Sequence, residues 1–259
     1  MMMRIKNAAD TPHQRGSRLK PVKSYRNPKF MHSPEARALR ILAEYLEPKS
    51  RLDAEGVEDT IVFFGSARLP PGSKWYEAAR DLARRLTQWS KGLDPADQRR
   101  FLVCTGGGPG IMEAANRGAS EARGRNVGLT ISLPHEEAAN AHVTRELSFH
   151  FHYFFMRKFW LAYMAKAMIV FPGGYGTLDE LFEMLTLKQT GRMTKPMPIV
   201  LFGTEYWKEV INFDALVRHG TIDAADVDLV HRTDSVDDAC EWLIRHLTDE
   251  ALGKPGAML

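Results

Sequence analysis

Pro172-Gly173-Gly174-Tyr175-Gly176-Thr177-Leu178-Asp179-Glu180 follows directly on the apolar run Ala167-Met168-Ile169-Val170-Phe171. A short, uninterrupted apolar run without period-two alternation fits a strand covered on both faces. The glycines then let the backbone turn sharply, and residues 177–191 form a helix. Strand, glycine turn and helix make up the unit from which parallel α/β sheets are built.

The same unit recurs outward from this segment. Residues 60–64 form an apolar strand, followed by Gly65-Ser66 and a helix over about 75–89. Residues 101–105 form a second strand, then come Gly106-Gly107-Gly108-Pro109-Gly110 and a helix over 111–123. Residues 127–133 and 146–151 read as further strands, 153–166 as a helix, 167–171 and 198–202 as strands, and 206–218 and 236–247 as helices. Right-handed crossovers then give an α/β, Rossmann-like parallel sheet sandwiched by helices over residues 59–250, forming a single domain.

Ahead of it, Ser33-Pro34-Glu35 supplies an N-cap, a first-turn proline and an acid beside the positive end of the dipole. The expected helix ends at Glu47 before Pro48, with Leu39, Leu42 and Leu46 on the face packed against the domain; it and a linker make up an N-terminal helical extension over residues 33–58. Residues 1–32 read as a basic tail, because the first 31 residues hold eight Lys or Arg against the single acid Asp10. The rival readings of that tail are a transit segment or an anionic partner. Residues 251–259 read as a C-terminal tail.

Bulk composition excludes several classes. With 44% hydrophobic and 26% charged residues, the chain can bury a core without disulfides or metals. Cys104 and Cys240 form no spaced framework, which points to a reducing, cytoplasmic setting. No stretch of roughly 18 uncharged apolar residues exists, so no membrane partner is expected. The net charge of +3 gives no reason to expect nucleic acid. His135 and His142 are seven positions apart and do not form a zinc motif, so neither metal nor cofactor is expected.

In a sheet of this kind ligands sit at the carboxyl ends of the strands, where three loops here carry glycine. A glycine turn opening a helix presents backbone N–H groups and a positive dipole end to an anion. The dinucleotide fingerprint is absent, no acid stands about 20 residues after Gly106, and no G-K-[ST] occurs. One phosphate therefore fits better than two or three, and Gly174 to Thr177 is its expected seat. Arg157 and Lys158, near the start of one helix, and Glu180, in the first turn of the next, fall near that seat. Thr177-Leu178-Asp179-Glu180 is also a capping-box pattern, so spacing leaves Glu180 either a helix cap or a reacting group.

Taken together, Phe64-Gly65-Ser66, the 106–113 stretch, Met156-Arg157-Lys158 and Pro172 to Glu180 resemble the Lonely Guy family of cytokinin-activating phosphoribohydrolases. The resemblance runs from about residue 60 to about residue 207 and is nearest the longer bacterial-style branch. It implies hydrolysis of AMP or an N6-substituted AMP to free base and ribose 5-phosphate, with Arg157 and Glu180 as catalytic pair. It also implies nucleotide contacts from Gly65, Ser66, Gly107, Glu136, Lys158, Gly173, Gly174, Tyr175, Gly176, Thr177 and Thr186, and a homodimer. Such proteins have also been called lysine decarboxylases, but no lysine here stands in a recognisable pyridoxal-phosphate context. The rival reading is a non-catalytic nucleotide sensor or carrier on the same fold.

Overall fold

A computed structural model describes residues 21–93, 99–132 and 139–256. Seven strands, β1 (Thr60–Phe64), β2 (Leu102–Thr105), β3 (Asn126–Ile131), β4 (Ser148–Phe151), β5 (Ala165–Val170), β6 (Ile199–Phe202) and β7 (His231–Thr233), form one sheet in the order β4-β3-β2-β1-β5-β6-β7. Every pair is parallel. The helices are α1 (Pro28–Met31), α2 (Arg37–Ala54), α3 (Lys74–Leu93), α4 (Ile111–Glu121), α5 (Phe154–Met164), α6 (Tyr175–Gln189), α7 (Thr204–Val210), α8 (Phe213–Arg218) and α9 (Val236–His246). The Rossmann-like class read from the sequence is the class observed.

All five residues of β1 and all six of β5 are buried, as two-sided cover requires. On one face Ile61, Phe63, Ile169 and Val200 pack with Tyr76, Leu82 and Leu86 of α3, Ile111 and Ala115 of α4, and Leu243 of α9. Each such large apolar side chain contributes about 1.5–3 kcal/mol. Trp160, Leu161 and Met164 of α5 and Leu181 and Met184 of α6 are buried outside that cluster and supply the second layer.

Strand order fixes where a ligand can go. From β1 the chain builds outward through β2, β3 and β4, then returns to β1's other side with β5. The loops after β1 and β5 therefore diverge, leaving a crevice at their carboxyl ends.

By contact the chain divides after Leu42. In the first unit, Asn27 caps α1 through the N–H groups of Lys29 and Phe30, and Arg40 reaches the carbonyls of Met31 and Ser33 at 2.6 and 2.8 Å. In the second, α2 does not stop before Pro48 but continues to Ala54. Proline lacks the N–H that would meet the carbonyl of Glu44, and the indole Nε1 of Trp160 donates to that carbonyl instead, at 3.0 Å. Within this unit Leu46, expected on the packing face, is half-exposed, while Pro48 and Leu52 are buried. Three other elements differ from the sequence reading. β5 begins at Ala165 and so contains Lys166, whose buried ammonium donates to the carbonyl of Lys254 at 2.9 Å. The helix expected over 206–218 is two helices, α7 and α8, because Asn212 caps the second through the N–H of Ala215. The three-residue β7 was not foreseen.

Candidate active site

The crevice beside β1 and β5 is a cleft of about 560 Å3. The loop after β1 lines it with Gly65, Ser66, Ala67 and Arg68, and the loop after β5 with Gly173 to Leu178. Glu180 and Arg157 also line it, with Leu161, Met112, Ile131 and Tyr206 completing the wall. The two loops are stitched together, the N–H of Ser66 donating to the carbonyl of Pro172 at 3.0 Å.

α6 begins with Gly174 as N-cap and has no side-chain cap, so the capping box that the sequence allowed is not formed. By helix geometry the N–H groups of Tyr175, Gly176 and Thr177 lack intrahelical acceptors. Side chains at Gly174 and Gly176 would extend into open space, whereas one at Gly173 would collide with Thr177 and with the amide of Ser66. The hydroxyl of Tyr206 donates to the carbonyl of Gly173 at 2.7 Å and holds the turn from the α7 side. The result is an uncapped helix start open to the cleft, a ready seat for an anion.

Glu180 falls in the second turn of α6, not the first, and is 4% exposed. Burial pushes its carboxyl pKa up to about 7, against the opposing pull of Lys158 and Arg157. A guanidinium nitrogen of Arg157 lies 3.9 Å from the carboxylate. A carboxyl poised near neutrality beside a cation, under an anion seat, is suited to proton transfer or to stabilising positive charge.

The other expected contacts divide. Lys158 does not line the cleft; its ammonium pairs with Asp179 at 2.9 Å and Glu183 at 2.8 Å. With Thr186, it lines a shallower depression on the other side of Tyr175 and Leu178. Gly107 is buried, and its N–H donates to the hydroxyl of Thr105 at 2.9 Å; Gly106 reaches the cleft from that loop. Glu136 lies outside the described residues. Sequence reasoning missed Arg68 and Tyr206. Arg68 sits two residues past Ser66 at the same strand edge, and Tyr206 follows the next strand out, so position along the carboxyl edge was the available signal. Among the described residues no group of three or more His, Cys, Asp or Glu could hold a metal ion. Nor, among them, is any helix long and apolar enough to cross a membrane.

A family model described as possible lysine decarboxylase matches residues 112–243. A probable cytokinin riboside 5′-monophosphate phosphoribohydrolase of rice, LOG4 of Oryza sativa subsp. japonica, is 32% identical over 186 residues, 70% of this chain and 74% of that one. The cytokinin riboside 5′-monophosphate phosphoribohydrolase of Rhodococcoides fascians is 27% identical over 63% of this chain and 76% of its own. In three dimensions the X-ray structure of TM1055 superposes with a TM-score of 0.51 at 23% identity, covering 72% of this chain and 99% of that one, which shows the shared fold.

Proposed function

The chain belongs to the Lonely Guy family, and from that premise we propose that it hydrolyses the N-glycosidic bond of a nucleoside 5′-monophosphate, AMP or an N6-substituted AMP. The observation that carries the reading is Glu180, a buried carboxyl with its pKa near 7, in a cleft whose wall is an uncapped helix N-terminus.

The 5′-phosphate sits on the N–H groups that open α6, with Ser66 and Arg68 across the cleft. Fixing the phosphate orients the ribose, so that binding energy becomes alignment of the anomeric carbon. Positive charge grows on that carbon as the bond to the base lengthens, and the Glu180 carboxylate stabilises it and takes a proton from the attacking water. The C–N bond breaks as the water oxygen bonds to the anomeric carbon, the base leaves with its electron pair and is protonated from solvent, Glu180 returns its proton to solvent, and ribose 5-phosphate remains. Lys158 and then Arg157 pull the carboxyl toward its ionised form, and Arg157 steadies the ribose hydroxyls.

The protein works as a homodimer in the cytoplasm. Half-exposed Phe154 and Phe155, exposed Phe182 and the free, buried Cys104 and Cys240 support that setting. Incubation with AMP, isopentenyl-AMP, GMP and CMP, followed by chromatography for free base and ribose 5-phosphate, tests the reaction. Saturable nucleotide binding with no base released from any of them would favour a sensor or carrier instead.

A further inference from the structure

Two consecutive residues of α2, Glu44 and Tyr45, hold α5 from outside the cleft, Glu44 at its start and Tyr45 at its middle. The carboxylate of Glu44 accepts the N–H groups of His152 at 2.8 Å and Tyr153 at 3.2 Å. Tyr153 is the N-cap of α5 and offers no side-chain cap of its own, so a residue more than a hundred positions earlier supplies the anion that this helix start lacks. The backbone carbonyl of Glu44 meanwhile accepts from Trp160, and the ring of Tyr45 stacks on that indole at 5.7 Å. The opposite end of α5 is held by a lysine: the Nζ of Lys195, whose pKa burial lowers to about 7, donates to the carbonyls of Ala162 at 2.6 Å and Tyr163 at 2.9 Å. α5 is thus held at both ends, by the Glu44 carboxylate at its positive dipole end and by the Lys195 hydrogen bonds at its last carbonyls.

What the clamp positions is Arg157. Its N–H and that of Met156 both donate to the carbonyl of Tyr153, at 3.2 and 3.1 Å, so Arg157 belongs to the first turn, directly on the capped residue. From there its guanidinium lies 3.9 Å from Glu180. If Glu44 let go, the first turn would fray and this distance would be the first to change. We infer that Glu44 is a positioning residue that, through the first turn of α5, sets where the Arg157 guanidinium stands relative to the Glu180 carboxylate. The inference rests on the proposed hydrolase for its kinetic arm only.

The test uses E44A and E44Q of the whole chain, with K49A as control; Lys49 lies on the same helix and pairs with Asp53 at 2.6 Å. E44A is expected to lower kcat on AMP about ten- to a hundredfold, the range for misplacement at a distance. It should also move the acid limb of the pH profile upward, because Glu180 loses part of Arg157's charge. E44Q keeps a single acceptor and should fall between, while K49A should match the parent. In an R157A background, E44A should add no further shift to the limb. A second readout needs no turnover: the Glu180 carboxyl, followed by 13C NMR titration in labelled protein, should titrate higher in E44A than in the parent. A lowered melting temperature with an unmoved Glu180 titration, or equal E44A effects with and without Arg157, would overturn the inference. Should the parent release no base from any nucleotide, the hydrolase reading fails and the NMR titration alone decides the role of Glu44.

Discussion

Two glycine loops look alike in the sequence, 106–110 after β2 and 173–177 after β5, and the molecule uses them in opposite ways. In the first, the polar groups face inward. Asn140 donates to the carbonyls of Gly107 and Gly108 and to the side chain of Asn116, and Asn116 is bonded in turn to Thr105 and Asn126. Gly107 and Gly110 hold positive φ, and a side chain at Gly107 would come within 2.6 Å of Thr130. These glycines let a buried polar network close. In the second loop the glycines leave room: Gly174 and Gly176 border empty space, and the first N–H groups of α6 point to no partner in the helix. Glycine content does not separate an anion seat from a packed turn. The destination of each loop's donors does.

The comparison would break first at Glu180, the proposed reacting group one turn beyond the open loop. E180Q is expected to lower base release about 10²–10⁴-fold, the usual worth of a positioned acid or base. The same change should stabilise the protein. A carboxyl whose folded pKa is raised from 4.5 to about 7 binds its proton more tightly when folded, so stability falls as pH rises from about 4.5 to 7, and the full penalty stands above 7. Removing the charge should recover up to about 3 kcal/mol at pH 8 and almost nothing at pH 4, measured by urea unfolding. Near-normal turnover in E180Q would reduce Glu180 to a buried structural acid.

The paired substitutions G174A and G107A sharpen the contrast. At Gly174 φ is −86° and the new methyl meets nothing, so folding should be unaffected. The methyl would crowd the phosphate, and KM for AMP should rise about tenfold or more, since each 1.4 kcal/mol of lost binding is a factor of ten. At Gly107 φ is +71° and the methyl strikes Thr130, so stability should drop by about 1–3 kcal/mol with KM of the folded enzyme little changed. If G107A raised KM as strongly as G174A, the first loop would be a ligand loop after all.

These two loops also mark what the sequence could and could not disclose. Strand existence was legible because two-sided burial forces short apolar runs such as 60–64 and 199–202, and the Pro172 to Glu180 stretch identified the helix that opens on the cleft. Harder to read was anything set by a distant partner. Pro48 ended the expected helix because nothing local announces that Trp160 will take the orphaned carbonyl of Glu44. Lys166 read as the last residue of the 153–166 helix, but the carbonyl of Lys254 lets it lie buried in a strand. Gly107 and Gly174 carry the same local signal, and only Asn140, brought in from beyond β3, tells them apart. Glu180's proximity to Arg157 followed from the order of elements, whereas its burial, and hence its raised pKa, required the packed structure.

Asn140 is the next point of attack, with a smaller expected effect. N140A removes three side-chain donations at once and takes the donor from the carbonyl of Gly108, while Gly107 keeps the backbone N–H of residue 140 and Asn116 keeps Thr105 and Asn126. A loss of about 1–3 kcal/mol is expected for leaving such a group unpaired. Amide exchange should quicken in residues 105–116 while that of Leu178 and the following residues of α6 stays as in the parent. Loosening that spread equally to both loops would show that they are one unit rather than two.

The smallest expected effect concerns Lys158, which stands outside the cleft yet acts on it through charge. After burial, which raises the Glu180 pKa, Lys158 is the strongest influence lowering it. Replacing Lys158 with Met should therefore move the pKa higher. With the carboxylate as the active form in the proposed reaction, kcat/KM should fall about tenfold for each pH unit below its inflection, and K158M should shift that inflection upward from about 7. At pH well above the inflection the variant and the parent should converge. A residue that contacted the nucleotide directly would instead lower kcat/KM at every pH, because a lost contact does not return when the carboxylate is ionised. The pH dependence of one substitution thus separates a field acting from beyond Tyr175 and Leu178 from a ligand contact, which proximity in the sequence to Arg157 alone could not do.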